Sequence, residues 1–327
     1  MKFSRLQRKL GGWLGLDRHY WEKRSNGLYS LNFHRIGLGK DTPFDPCVFS
    51  CSTQELDEHL AFIKRHFTVI TLAELESLVK RNVVPDRRYM CLTFDDGYID
   101  NYTNALPVLK KHNLKASFFI ATGLVGNNTV PWWDKIAYLI KHYNPQNLKL
   151  SDWEFEVLNK DGEENFIREI LSAVKSCKYS AASQIEELEF KFSHSSGYPD
   201  AEFMNWEHLS SLLDEGMEVG AHSHNHDILT KLSDEELFYE LSHSKALLEE
   251  KLACCVTAFS YPVGNKSTYN EKVIDGLRNT GYQIAFNFLP GVNVSPASTP
   301  YDLHRFPIAP NMNQEALKKM FSYTSRF

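Results

Sequence analysis

The chain has 327 residues, 43% of them apolar and 24% charged, which is enough apolar material for a packed core and excludes an intrinsically disordered chain. Its 36 basic and 41 acidic residues leave a formal net charge of −5, the opposite of what a dedicated nucleic-acid binder carries. No apolar run reaches the roughly 18 residues of a membrane span, and the length allows either two domains or one α/β barrel.

The opening segment, residues 1–24, is basic and amphipathic. Phe3, Leu6, Leu10, Trp13 and Leu14 recur at three- and four-residue spacing, so a helix would gather them on one side. Lys2, Arg5, Arg8, Lys9 and Arg18 lie among them, and Gly11 and Gly12 interrupt the pattern. The ordinary expectation is a helix packed on the body of the protein. The functional one is peripheral contact with anionic lipid. The segment lacks the apolar stretch and cleavage site of a secretory signal. Six cysteines without Cys-x-x-Cys spacing read as free thiols. Both features predict a cytoplasmic protein, with the inner face of the membrane as the place of any lipid contact.

Beyond this segment, strand-like and helix-like runs alternate. Residues 28–34 read as a strand, 54–66 as a helix, 68–70 as a short strand, and 72–80 as a helix that Thr71 would cap. Residues 89–94 read as a strand broken at Gly97, 101–112 as a helix, and 116–121 as a strand. The pattern then changes from 127 to 205. Trp132, Ile136, Leu139 and Ile140 fit one helical face; Phe166, Ile167, Ile170, Leu171 and Val174 fit another, with a polar stretch between. We read this as a helical insertion within a single catalytic domain of residues 25–327, either covering the core or walling a substrate cleft. Residues 217–221, 256–261 and 283–286 read as strands, with helices over 235–252 and 271–279. Such alternation predicts a parallel sheet or barrel, with its chemistry at the C-terminal strand ends.

Two constellations carry that chemistry. Thr93-Phe94-Asp95-Asp96-Gly97-Tyr98 closes a strand with two carboxylates. Neighbouring strand residues point to opposite faces, but a bend at Gly97 would let both approach one site; the ordinary alternative is an Asp-Gly turn. His222-Ser223-His224-Asn225-His226 follows another strand, with a polar surface loop as its alternative. If the two strands are parallel, both clusters emerge on one rim. They then suggest a His/His/Asp site with open positions, as in catalytic metal centres, beside a second carboxylate able to take a proton.

These two motifs resemble the first two of the polysaccharide deacetylases, the NodB-homology group of carbohydrate esterase family 4. The resemblance extends from about Leu28 to Ile308, weakest over the insertion. It implies an α/β fold, a distorted (β/α)7 barrel. It also implies Asp95 as general base, Asp96, His222 and His226 as ligands of a divalent metal, and hydrolysis of an N-acetyl group on an amino-sugar glycan in bacterial surface polysaccharide biosynthesis or modification. Zinc is the expected metal, with Co²⁺, Ni²⁺ or Fe²⁺ as alternatives. Ser260-Tyr261-Pro262-Val263-Gly264 resembles the third motif, Arg-x-Pro-[Tyr/Phe], so the Val263 N–H is the implied oxyanion donor. The arginine of that motif is Ser260 here. Arg305 is the candidate substitute, a surface arginine being the alternative.

The family's last motif, a strand ending Leu-x-His, supplies the general acid. Leu303-His304 lacks that form, and Leu31-Asn32-Phe33-His34 fits it better, as in the circularly permuted poly-N-acetylglucosamine deacetylases. His34 is therefore the expected acid, with His304 or a merely structural His34 as alternatives. Trp132-Trp133-Asp134 resembles one bacterial subgroup, and its tryptophans read as apolar anchors or as a sugar-stacking surface. An O-acetyl esterase, a deformylase acting on a lipid-linked sugar, and an inactive glycan-binding module are the competing functions.

Overall fold

The structure, a computed structural model, describes residues 16–324. The amphipathic run from Phe3 to Leu14 lies outside the described residues, as do Lys2, Arg5, Arg8 and Lys9. Eight parallel strands make the main sheet: β1 (Gly27–Phe33), β2 (Thr68–Val69), β3 (Arg88–Phe94), β4 (Ser117–Ile120), β5 (Glu218–Ala221), β6 (Ala258–Ser260), β7 (Ile284–Phe286) and β8 (Phe306–Pro307). Their order is β7-β6-β5-β4-β3-β1-β8, with β2 added beside β3. The ends of this row approach each other, because Leu303, just upstream of β8, bridges Phe286 of β7 in parallel. The sheet thus curls into the distorted (β/α) barrel that the alternation predicts.

Period-two alternation sorts the strands into two sets. Tyr29, Leu31 and Phe33 on β1, Met90, Leu92 and Phe94 on β3, and Phe118 and Ile120 on β4 join the apolar layer shared with the outer helices. Leu28, Cys91, Phe119, Ala258, Phe286 and Leu303 form a separate cluster inside the barrel. Phe119 fills the middle so closely that a Cβ on Gly220 would stand 2.4 Å from its ring. Burying such a phenylalanine stabilises by about 1.5–3 kcal/mol. Continuing the inward set along the same strands reaches Asn32, Thr93, Asp95, Ser260 and Arg305, all buried and polar. The interior is therefore layered, apolar below and polar at the C-terminal rim.

The helices are α1 (Leu16–Glu22), α2 (Thr53–His66), α3 (Leu72–Lys80), α4 (Leu106–His112), α5 (Trp132–Tyr143), α6 (Glu163–Ser176), α7 (Ala181–Lys191), α8 (Trp206–Asp214), α9 (Asp234–Leu252), α10 (Glu271–Asn279) and α11 (Gln314–Thr324). Thr71 caps α3 as expected, in a reciprocal capping box with Glu74, and Ser52 with Glu55 and Ser233 with Glu236 do the same for α2 and α9. Each such cap contributes about 1 kcal/mol. The α-helix predicted over 101–112 is wound as a π-helix from Asn101 to Ala105 before α4 begins. Pro107 lacks the N–H that a regular ladder needs there, while Asn101 and Asn104 donate instead to the His34 and Ile36 carbonyls, each at 2.6 Å. α7, α8 and α11 are not among the helices that the sequence predicts.

In the 127–205 region, α5, α6 and α7 share their own apolar cluster, which merges at the rim with Tyr98, Ala121 and Leu124. The polar stretch between the two helical faces holds a hairpin, Asn147–Leu148 against Val157–Leu158, whose buried pair is Leu148 and Val157. Two-residue strands are too short to display a period. At the opposite end, Trp21 of α1 packs on Phe62, His66 and Phe67. The Arg24 guanidinium lies over Trp21, and Arg88 at the start of β3 donates to the Arg24 carbonyl at 2.9 Å. Trp21 and Arg24 thus pack at the end where β3 begins, away from the polar rim, while Arg18, His19, Glu22 and Lys23 are exposed. All six cysteines are free, and no helix among the described residues is long and apolar enough to cross a membrane.

Candidate active site

The two motifs meet on the rim. Asp95 points inward by strand parity. Asp96 would point away, but its φ of 73°, followed by Gly97 at 92°, turns its carboxylate back to the same side. The bend thus falls on Asp96 itself and not on the glycine alone. On the neighbouring rim, Ser223 (φ 62°) and His226 (φ 58°) are also left-handed, which folds the His222–His226 loop so that its two end imidazoles face one point. Such strain persists only where the surroundings over-determine it. Here the Ser223 hydroxyl accepts the His226 N–H at 3.0 Å. The buried Glu240 carboxylate of α9 accepts the N–H groups of His224 and Asn225, both at 2.8 Å, and the Asn225 amide at 2.7 Å. Glu240 lies fourteen residues past the motif (240 − 226) with no spacing signal, so pattern reading missed it.

Asp96 Oδ1 lies 3.4 Å from Nε2 of His222 and 3.4 Å from Nε2 of His226. All three residues are buried, and Asp96 Oδ1 has no hydrogen-bond partner. Two ligand atoms about 2.1 Å from one ion at a tetrahedral angle stand roughly 3.4 Å apart, so the donor set and its spacing fit a divalent metal. His222 Nδ1 donates to the Ser260 carbonyl at 2.7 Å, which leaves its Nε2 lone pair facing the cluster. Burial pushes His226 down to about 3, which keeps it a neutral ligand. Burial opposes protonation of His222 as well, but the Asp95 and Asp96 carboxylates raise it on balance.

Asp95 stands beside this cluster, with Oδ2 3.9 Å from His222 Nε2. Arg305 grips it with both guanidinium nitrogens at 2.8 Å. Arg305 is fully buried and is thus not the surface arginine of the alternative. It also donates to Thr93 Oγ1 at 3.1 Å, to the Asn287 carbonyl at 2.9 Å and to Ser260 Oγ at 2.8 Å. Ser260 Oγ and Asn32 Nδ2 complete the shell of Asp95 at 3.1 and 3.0 Å. The guanidinium absent from position 260 thus arrives from 305, and the small Ser260 leaves it room. Burial alone would push the Asp95 carboxyl up, but the Arg305 and His222 charges hold it well below the usual carboxylate range.

The remaining candidates separate cleanly. His34 continues the inward set of β1, lines the pocket and stands edge-on to Phe288 with ring centroids 5.6 Å apart. His304, one residue before the inward Arg305, points away from the site and takes a hydrogen bond from the Asn287 amide at 3.3 Å. Val263 lines the pocket at φ 63°, an unusual conformation for a β-branched residue, and its N–H has no partner among the described residues.

The pocket holds about 520 Å³. Its second wall is the insertion, which therefore flanks the cleft as well as covering the rim. Trp132 and Trp133 are buried there and serve as braces: the Trp133 ring packs 4.4 Å from that of His226, and Trp132 Nε1 donates to the His226 carbonyl at 3.4 Å. Trp133 Nε1 also donates to the Tyr98 hydroxyl at 2.7 Å, and Tyr98 donates to Asp134 at 3.0 Å.

The chain is similar to several known proteins. The profile of the family described as polysaccharide deacetylase matches residues 82–285. YxkH of Bacillus subtilis (strain 168) is 22% identical over 287 residues, covering 88% of this chain and 73% of its own. The poly-beta-1,6-N-acetyl-D-glucosamine N-deacetylase of Staphylococcus aureus is 28% identical over 148 residues, 42% of this chain and 50% of that enzyme, so the match spans half the length of that relative. The structure of Streptococcus pyogenes deacetylase PplD in complex with acetate superposes with a TM-score of 0.61 at 20% identity, covering 91% of this chain and 99% of that one, which establishes a shared fold.

Proposed function

Because this chain belongs to the polysaccharide deacetylase family, we propose that it is a metal-dependent hydrolase that removes N-acetyl groups from an amino-sugar-containing glycan of a bacterial surface. The observation that carries this reading is the Arg305-clamped Asp95 beside the Asp96, His222 and His226 cluster, in a pocket that also presents His34 and the free Val263 N–H. The substrate printed for the Staphylococcus aureus relative supports an N-acetylglucosamine polymer as the starting point.

Asp96, His222 and His226 would hold a divalent ion, zinc foremost with Co²⁺, Ni²⁺ or Fe²⁺ as alternatives, which supplies Lewis acidity and lowers the pKa of water. Asp95, kept ionised and oriented by Arg305, accepts the proton of the attacking water. The Val263 N–H donates to the oxygen that gains charge as the acetyl carbon becomes tetrahedral. His34, entering as imidazolium, protonates the amide nitrogen as the C–N bond breaks, so that a neutral amine departs and acetate remains. An unprotonated amine anion leaves far too slowly for the step to proceed without such an acid.

The test is acetate release from a defined β-1,6-linked N-acetylglucosamine oligosaccharide. We expect acetate and free amine in equal amounts, loss of both after chelation, and recovery on adding Zn²⁺ or Co²⁺. Failure to release acetate with any of the four metals, while the protein binds them, would overturn the reading.

A further inference from the structure

The insertion turns one face of α6 to the pocket. Arg168, Leu171, Ser172, Lys175 and Ser176 line it, at the i, i+3, i+4, i+7, i+8 spacing of a single helical stripe. Arg168 and Lys175 thus stand two turns apart on the same side, Arg168 exposed at the mouth and Lys175 half-buried deeper in. The Lys175 ammonium lies 5.8 Å from the centre of the Trp132 ring, which places it next to the brace of the His226 loop.

Neither cation forms an ion pair with a carboxylate among the described residues. The carboxylates nearest in charge are Asp45 and Asp96 for Lys175 and Asp45 and Glu164 for Arg168, but none of them stands within the 4.0 Å of an ion pair, and the Asp45 carboxylate turns to the Cys47 N–H at 2.8 Å. Arg168 reaches only the Asn165 amide oxygen at 3.2 Å and Cys47 Sγ at 3.6 Å. A half-buried ammonium with no carboxylate in contact is costly, and this chain has 41 acidic residues from which a contact partner could have been drawn. The contrast with Arg305 is direct, since that guanidinium has every donor direction filled. Two open cations lining the wall of a cleft are complementary to an anion on whatever occupies it.

We propose that the α6 wall is a subsite for an anionic substituent, a phosphate or a carboxylate carried by the glycan on or beside the N-acetylated sugar. This rests on the deacetylase reading above and adds the charge of the substrate to it. With the acetamide at the Asp95 and His222 side, the substituent meets Lys175 first and Arg168 nearer solvent.

The experiment measures acetate release at fixed ionic strength from three probes: a neutral β-1,6-linked N-acetylglucosamine oligosaccharide, the same oligosaccharide carrying a phosphate ester, and one carrying a uronic acid residue. The wild-type KM should be roughly 10-fold lower for an anionic probe than for the neutral one, with kcat little changed, on the scale of one charged hydrogen bond. Preference for the phosphorylated or for the uronate probe identifies the anion. Lys175→Gln should collapse the ratio of the two KM values, Lys175→Arg should restore most of it, and added salt should shrink it. Arg168→Gln, at an exposed position where folding is not at stake, should lower the ratio several-fold. Equal KM values for neutral and anionic probes in the wild type, or a ratio unmoved in both Gln variants, overturns the subsite while leaving the deacetylase reading in place. No acetate from any probe overturns that reading and the subsite together.

Discussion

The two walls of the pocket treat charge in opposite ways. On the barrel wall both oxygens of Asp95 are bonded, the guanidinium of Arg305 is filled, and the whole cluster is buried. On the insertion wall Lys175 and Arg168 have no carboxylate within ion-pair distance among the described residues, and burial raises the Asp134 carboxyl to about 7 even though it accepts bonds from Tyr98 and the Asp45 backbone. The difference teaches where each task sits. A group that must hold one orientation through a reaction is bonded on every side, because reorganisation during the step would add to the barrier. A group that must meet a variable partner keeps its bonding capacity open.

The largest break in this contrast should come from Asp95→Asn. On the proposed mechanism its loss removes the base without removing a member of the candidate metal cluster, so kcat should fall about 10³-fold while metal content by elemental analysis stays at that of the wild type. A near-normal rate would mean that the barrel wall is not the chemical one.

Asp134→Asn probes the other side through pH. The folded-state value of about 7 lies above the ordinary 3.8, so the native protein binds more protons than the unfolded chain between these limits. The Asp134 contribution to stability therefore falls as pH rises from about 4 to about 7 and flattens above, while His226, lowered from 6.5 to about 3, contributes the opposite slope in both proteins. The linked energy is on the order of 4 kcal/mol. The asparagine, an isostere of the protonated acid, should remove that slope, giving Tm values equal to wild type near pH 4 and higher at pH 8. Parallel Tm curves for the two proteins would place Asp134 in a wetter site than its burial indicates.

His34→Ala should lower kcat on N-acetyl substrates by about 10²-fold and much less on an aryl acetate, whose phenolate leaves without a proton. Equal losses on both substrates would sharpen the contrast differently, by making His34 part of the binding wall. The smallest effect belongs to Glu240→Gln, which disturbs the clamp on the His222–His226 loop. We expect about 10-fold weaker metal affinity, the lower end of the cost for such outer contacts, read by competition with a chelator.

Much of the fold was legible locally. Strand parity on 28–34 and 89–94 and the Thr71 cap before α3 are short-range signals, and signals of this kind named seven of the eight sheet strands or their cores. β8 and the hairpin at 147–158 escaped because two residues display no period and, unlike β2 between α2 and the Thr71 cap, no flanking helix signals framed them; α7, α8 and α11 were not assigned. For the site, the carboxylate pair and the histidine loop were visible as clusters of unusual composition. Glu240, Asn32 and Lys175 were not, since single polar residues on ordinary helices and strands look alike until packing places them.

Residue identity and spacing along this chain sufficed to place two carboxylates and three histidines after strands, and so to predict a shared rim in a parallel α/β fold. Those are properties of hydrogen-bond period and chain direction, which act over a few residues. Which histidine faces the cleft, whether Arg305 reaches Asp95, and whether the insertion walls the pocket depend on barrel closure, which brings Arg305 to Asp95 across 210 residues of sequence. Burial and left-handed turns at Asp96, His226 and Val263 then set the charges and directions, and these arise only when distant segments exclude water from one another.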